Sequence, residues 1–152
     1  MPRSTKGDFP PAISSGYLVR DAHRAFQHEL EKRIARYGVT RGQWYFLRVL
    51  WTEDGLTQRE LSERVGMMEP TTVMALRGME KAGLVVRERS RRDRRKALVW
   101  LTPKAKRLRS RLLPVARGIV DDAENGIPEA ELRAFRRVVA QLRKNLDRLR
   151  ER

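Results

Sequence analysis

A chain of 152 residues, 40% of them hydrophobic, is long enough for one domain or two small interlocked ones around a core. Its 34 lysines and arginines against 19 acidic residues, a formal net charge of +15, disfavour a cationic partner and favour a polyanion, which leaves nucleic acid and an acidic membrane surface to be separated by where the charges lie. The absence of cysteine excludes disulfides, thiolate metal sites and thiol catalysis, and fits a reducing cytoplasm.

Residues 1–14 read as a flexible arm. The segment Met1 to Gly16 holds Pro2, Pro10, Pro11 and two glycines, and it lacks the apolar run of a signal peptide. No stretch of the chain is long and apolar enough to span a bilayer, so a cytoplasmic protein without membrane contact is expected.

Leu18, Ala22, Ala25, Phe26, Leu30 and Ile34 recur at helical spacing and predict a first long helix from about Ser15 to Tyr37, stopped by Gly38. Thr40-Arg41-Gly42-Gln43 has the form of a capping box and opens a second, strongly apolar helix with Trp44, Leu47, Val49, Leu50 and Trp51. A second capping box, Thr57-Gln58-Arg59-Glu60, opens a short helix ending at Gly66. Pro70 suits the first turn of the next helix, because its missing N–H is unpaired there anyway. That helix carries Val73, Leu76 and Met79 and stops at Gly83. Two short helices around a tight glycine-containing turn form a helix-turn-helix.

The pattern then becomes β-prone at Leu84-Val85-Val86-Arg87 and Ala97-Leu98-Val99-Trp100-Leu101, with the almost wholly charged Glu88 to Lys96 between them. A hairpin directly after a helix-turn-helix is a wing, and its loop is long enough to predict a mobile tip. Thr102 and Pro103 restart helix as N-cap and N1. Pro114 falls inside the following pattern and predicts a kink or a break. Gly126 and Pro128 set off a last helix, where Leu132, Phe135, Val139, Leu142, Leu146 and Leu149 alternate steps of three and four, with arginines and lysines between them. Such a seam packs on other helices, in its own subunit or more fully in a second copy, so these six residues are the expected homodimer interface. The fold class expected is mainly α with a small β-hairpin wing. Residues 15–38 and 103–152 are expected to supply dimerisation helices, and 39–102 the winged helix-turn-helix lobe.

The second helix of the helix-turn-helix is the candidate reader of double-stranded DNA. Glu69, Pro70, Thr71, Thr72, Met74 and Ala75 fall in its first two turns, with Arg77 one turn on. The blander alternative makes Thr71 and Thr72 helix-end residues and Arg77 a solvated charge. From Arg87 to Lys96 seven basic residues meet two acidic ones. At a hairpin tip, Arg91, Arg92, Arg94, Arg95 and Lys96 can meet DNA, and an arginine there can enter the minor groove, where negative potential favours it. Asp93 would be repelled by DNA and suits holding a neighbouring arginine in place.

The stretches Leu56-Thr57-Gln58-Arg59-Glu60-Leu61, Met79-Glu80-Lys81-Ala82-Gly83-Leu84-Val85, Arg92-Asp93-Arg94-Arg95-Lys96 and Leu101-Thr102, with Gln43-Trp44, resemble the MarR family of regulators over roughly residues 15 to 150. The resemblance implies a triangular helical dimer that usually represses transcription at a palindromic operator and often releases DNA on binding a small aromatic or anionic ligand. It implies Asp93 and Arg95 as the wing pair, with Arg94 a competitor for the groove. The sequence departs from the family where many members carry an Arg and, three residues later, an Asp in the recognition helix; Met74 and Arg77 stand there. Family effectors often bind between dimerisation helices and DNA-binding lobe, which makes Tyr17, Arg20, His23, Trp44, Tyr45 and Trp51 the candidate pocket, with core the stronger reading for Trp44.

An enzyme is disfavoured. His23 and His28 are five apart and share no helix face, no third metal ligand stands near them, and there is no phosphate loop or nucleophile set. No cofactor and no metal are expected. The main rival is a basic protein that coats nucleic acid without reading its sequence.

Overall fold

A computed structural model describes residues 7–152, so most of the arm expected over residues 1–14 lies outside the described residues. Pro11–Ile13 forms a 3-10 turn ahead of helix α1, Ser15–Ile34. A further 3-10 turn, Ala35–Tyr37, continues α1 to Gly38. The other elements in order are α2 (Arg41–Thr52), β1 (Leu56–Thr57), α3 (Gln58–Val65), α4 (Glu69–Lys81), β2 (Val85–Arg89), β3 (Ala97–Leu101), α5 (Pro103–Glu124) and α6 (Glu129–Arg150).

Both expected capping boxes are formed. The Thr40 hydroxyl accepts from the Gln43 amide at 3.2 Å, and the Thr57 hydroxyl from the Glu60 amide at 3.1 Å. Each returning side chain accepts from the cap amide, so two otherwise unpaired donors are satisfied per helix. Gly66 takes a left-handed φ of +77°, which lets the chain turn sharply from α3 into α4.

The chain divides into two compact units, residues 1–116 and 117–152. By packing, α1 and the first half of α5 thus belong with the helix-turn-helix. The core of the first unit contains Ile34, Phe46, Leu47, Leu50, Leu61, Leu76, Met79, Leu84, Val99 and Leu112, all buried. Its sheet has three strands in the order β1-β3-β2, all antiparallel. Val85 opposes Leu101 and Arg89 opposes Ala97, so β2 runs two residues past its expected end, into the charged segment. Strand β1, which was not expected, pairs Leu56 with Val99 and Thr57 with Leu98. Asp54 supports this edge, its carboxylate accepting from the Gly55 amide at 3.0 Å and the Leu101 amide at 2.9 Å.

The start of α5 closes the base of the hairpin. The Thr102 hydroxyl accepts from the Ala105 amide at 3.2 Å and donates to the Gly83 carbonyl at 2.6 Å, while the Lys104 ammonium donates to the Ala82 carbonyl at 2.8 Å. Thr102 is therefore the expected N-cap, and with Lys104 it also satisfies carbonyls left open at the end of α4. Pro114 does not break the chain's course: α5 is one helix. A proline there removes the bond to the Ser110 carbonyl and costs about 3 kcal/mol. Leu112, two residues before it, is wholly buried, and α5 runs on through the gap.

In the second unit, α6 begins after Pro128, and Arg136 ties its first turns to Glu129 at 3.4 Å and to Glu124 at 3.5 Å. Along the expected seam Leu132 is buried, Val139 and Leu142 are half-buried, and Phe135, Leu146 and Leu149 are exposed. An apolar stripe left this open on one chain is unusual for a free surface.

Thr72 was expected among the DNA-contacting residues, and the structure corrects this. Its side chain is wholly buried on the inner face of α4, and its hydroxyl has no hydrogen-bond partner among the described residues. An unpaired buried hydroxyl is costly, so Thr72→Val should leave stability unchanged or raise it by about 1 kcal/mol. Urea unfolding of the two proteins checks this, and a clear loss of stability on substitution would contradict it.

Candidate nucleic-acid interface

The outward face of α4 is set by what its inner face buries. With Thr72, Leu76 and Met79 inside, Glu69, Pro70, Thr71, Met74, Arg77 and Gly78 are exposed, and Ala75 is half-buried. The residues brought onto the open face are thus Pro70, Thr71, Met74 and Arg77 of the expected set, with Gly78 and Lys81 in addition. Helical spacing alone already placed Pro70, Met74 and Gly78 one turn apart; only the choice of inner face needed the fold.

The wing tip is a hydrogen-bonded turn. The Ser90 amide donates to the Lys96 carbonyl at 2.9 Å, and the Lys96 amide to the Asp93 carbonyl at 3.0 Å. The Ser90 hydroxyl accepts from the amides of Arg92 and Asp93, each at 3.3 Å. Asp93 in turn accepts from Arg95 three times: from its amide at 3.1 Å, from Nε at 3.1 Å, and from Nη2 at 3.4 Å. The guanidinium is fixed by a two-pronged contact while the Arg95 side chain stays 90% exposed. Arg91, Arg92 and Arg94 are exposed at the same turn and make no ion pair among the described residues. With Arg89 and Ser90, Arg91 and Arg94 line a shallow cleft of about 350 Å³.

The Arg95 side chain first, and its amide second, hold the Asp93 carboxyl below the usual carboxylate range. A carboxylate depressed in the folded state contributes fully above its unfolded value, about 3.9, and loses that contribution as pH falls through the lower folded value. A carbon-detected NMR titration should therefore place the Asp93 midpoint below that unfolded value, and a midpoint at or above it would contradict the pairing.

Arg87, at the middle of β2, links the wing to the helix-turn-helix. Its guanidinium donates to the Gln58 side-chain oxygen at 3.2 Å and pairs with Glu80 near the end of α4. Wing and reading helix are thereby held in one frame, a link that residue spacing did not reveal.

The six candidate effector residues do not converge. Trp44 is a core residue, 5% exposed, packed edge-to-face on Trp51 at 5.8 Å; this corrects its placement in a pocket. Trp51 donates its indole N–H to the Ala105 carbonyl at 3.0 Å. Tyr45 faces elsewhere, its ring 6.5 Å from that of His23 and its hydroxyl accepting from Gln27 at 3.4 Å. Tyr17 and Arg20 are exposed on α1. An open groove of about 510 Å³ on this part of the unit is lined instead by Asp21, Arg24, Gln27, His28, Glu31 and Arg41, with Ala25. Among the described residues no group of three or more His, Cys, Asp or Glu could hold a metal ion, and no helix is long and apolar enough to cross a membrane.

Two short helices around a tight turn, followed by a hairpin carrying an arginine-rich tip, define a winged helix-turn-helix protein. The MarR family model matches residues 37–96, the segment from the end of α1 through the wing, and the chain belongs to that family. It is 31% identical over 110 residues to the transcriptional regulator TtmR of Methylorubrum extorquens, an alignment covering 71% of this chain and 56% of that regulator, so the chain spans little more than half of that relative. The crystal structure of transcriptional regulator PA3341 superposes with a TM-score of 0.80 at 33% identity, covering 89% of this chain and 99% of that one. A MarR-family regulator from Listeria monocytogenes, solved with a 26mer DNA, shares the fold with a TM-score of 0.81 at 18% identity over 88% and 89% of the two chains. These relatives are regulators of transcription, not enzymes.

Proposed function

We propose that this chain is a sequence-specific DNA-binding regulator of transcription, a homodimer that represses a promoter by occupying a pseudo-palindromic operator. The observation that carries this reading is the pairing, in one rigid frame, of an outward α4 face with a wing tip whose Arg95 is held by Asp93. In the proposed complex each α4 enters a major groove, and Arg95 enters the adjacent minor groove with Arg91, Arg92, Arg94 and Lys96 on flanking phosphates. Residues 39–102 form the DNA-binding lobe, and residues 15–38 and 103–152 join the two subunits. The exposed Phe135, Leu146 and Leu149 of α6 support a second copy as the partner, since burying them on it removes apolar surface from water. The Listeria protein of the same fold was solved with a 26mer DNA, which supports the class of partner. Release by a small aromatic or anionic effector belongs to the proposal, and the groove lined by Arg24, His28 and Arg41 has room for one.

Selection on randomised duplex DNA, followed by affinities against scrambled sequence at moderate salt, tests the reading. A single inverted repeat favoured by about 10³ or more is the expected result. Equal affinity for every sequence, with only a steep salt dependence, would instead mean a general nucleic-acid coat.

A further inference from the structure

The centre of the exposed α4 face contains no hydrogen-bonding side chain. Pro70, Met74 and Gly78 follow one another at intervals of four, so they stack along a single line of the helix, and all three are exposed. Thr71 lies on one side of that line and Arg77 on the other. Met74, in the middle, is 65% exposed. Direct readout by donors and acceptors is therefore confined to the flanks and to Lys81 at the C-terminal end of the face, and around Met74 only apolar contact is available. The one apolar group that a base pair presents in the major groove is the C5-methyl of thymine.

Two further residues fit this and lack an explanation inside the subunit. Gly78 sits in a helix interior, where glycine is among the poorest helix formers, yet a Cβ built there meets nothing within 4 Å. Packing does not require glycine at this point, whereas close approach of another molecule does. Met68 occupies the N-cap of α4 without any side-chain cap bond, where Ser, Thr, Asp or Asn would stabilise the helix, and it is 74% exposed. A sequence that gives up local helix stability at both ends of one exposed face marks that face as functional.

Resting on the DNA-binding reading above, we propose that α4 identifies its half-site through the C5-methyl groups of pyrimidines, packed against Met74, with Gly78 admitting the groove wall close to the helix. Methionine suits this because its unbranched thioether adapts to the position of a methyl group without needing a directional bond. Arg77 and Thr71 then supply the flanking polar contacts. By the same chemistry, 5-methylcytosine can replace thymine in the contact, and unmodified cytosine or uracil cannot.

The test uses the full chain and the best duplex from the selection, with each thymine replaced in turn by deoxyuridine, which removes only the methyl. At one position or more in each half-site, uracil should weaken binding about fourfold, and about fifteenfold when both half-sites carry it, as expected when each subunit buries one methyl fewer. Met74→Ala should bind the thymine and uracil duplexes alike. Gly78→Ala should raise the melting temperature while weakening binding. Uracil tolerated within about twofold at every position, with scrambled DNA still rejected, would overturn this inference and leave the proposed function standing. Equal uracil penalties in the wild type and Met74→Ala would overturn the role of Met74. Gly78→Ala binding as tightly as the wild type would overturn close approach at that position. Indifference to all sequence would overturn the proposed function and this inference with it.

Discussion

Replacing Arg95 by alanine lowers affinity for the selected operator by at least about thirtyfold, and leaves the fold intact. The size follows from roughly 1–3 kcal/mol for an arginine that reads a groove, counted once for each wing of a dimer. The intact fold follows from exposure: the Arg95 side chain is 90% accessible, and its guanidinium pairs with Asp93 at the turn. Circular dichroism and thermal unfolding should match the wild type while titration against labelled operator does not. Asp93→Asn gives a smaller loss, because the arginine remains but its guanidinium is no longer held by a charged partner. Arg94→Ala, which removes a side chain with no ion pair among the described residues, should weaken binding to all duplexes similarly and reduce the salt slope by about one for each phosphate that is no longer neutralised. An Arg95→Ala protein with unchanged affinity contradicts the wing assignment, and a larger loss for Arg94→Ala transfers the groove contact to Arg94.

The second large effect concerns stability. Gly55→Ala should destabilise the protein by about 2–5 kcal/mol, from two costs that add. Gly55 has a left-handed φ of +71°, which a side chain adopts at a cost of roughly 1–2 kcal/mol. A Cβ there would also lie 2.5 Å from Cη2 and 2.6 Å from Cζ2 of Trp100, so the indole must shift, an overpacking cost of roughly 1–3 kcal/mol. The residue cannot simply move away. Its amide donates to the Val99 carbonyl at 3.0 Å and to Asp54 at 3.0 Å, and Asp54 also accepts from Leu101. For a domain of this size the melting temperature should fall by roughly 5–15 °C. Because β3 carries the wing, DNA binding should weaken with temperature sooner than in the wild type. A melting temperature within 2 °C or so of the wild type would show that the Trp100 ring is not fixed against this glycine.

Most of the fold was legible because its signals are local. A capping box, a proline at a helix start and a glycine at its end act over three or four residues, so Thr40, Thr57, Pro70 and Thr102 marked helix starts as directly in the sequence as in the structure. The wing was legible from composition, since a charge block between two β-prone runs has little alternative to a hairpin tip. Membership of the MarR family, too, followed from motifs readable in the chain.

Four features depended on tertiary contacts. Strand β1 has two residues, too few for any periodicity, and exists because β3 offers them a free edge. Thr72 looks like a neighbour of Thr71 in sequence, but one residue is a large rotation on a helix, and packing against α3 put Thr72 inside and Thr71 outside. Trp44 and Tyr45 diverge for the same reason, Trp44 packing on Trp51 in the core and Tyr45 lying beside His23. Pro114 signals a kink or a break by local rules, yet α5 runs through it as one helix. Composition, capping and turn chemistry thus determined the helices and the wing that this chain makes, and what charge it presents. Which face of each helix reaches solvent, and so which residues are offered to DNA, was decided only when the core chose the other face.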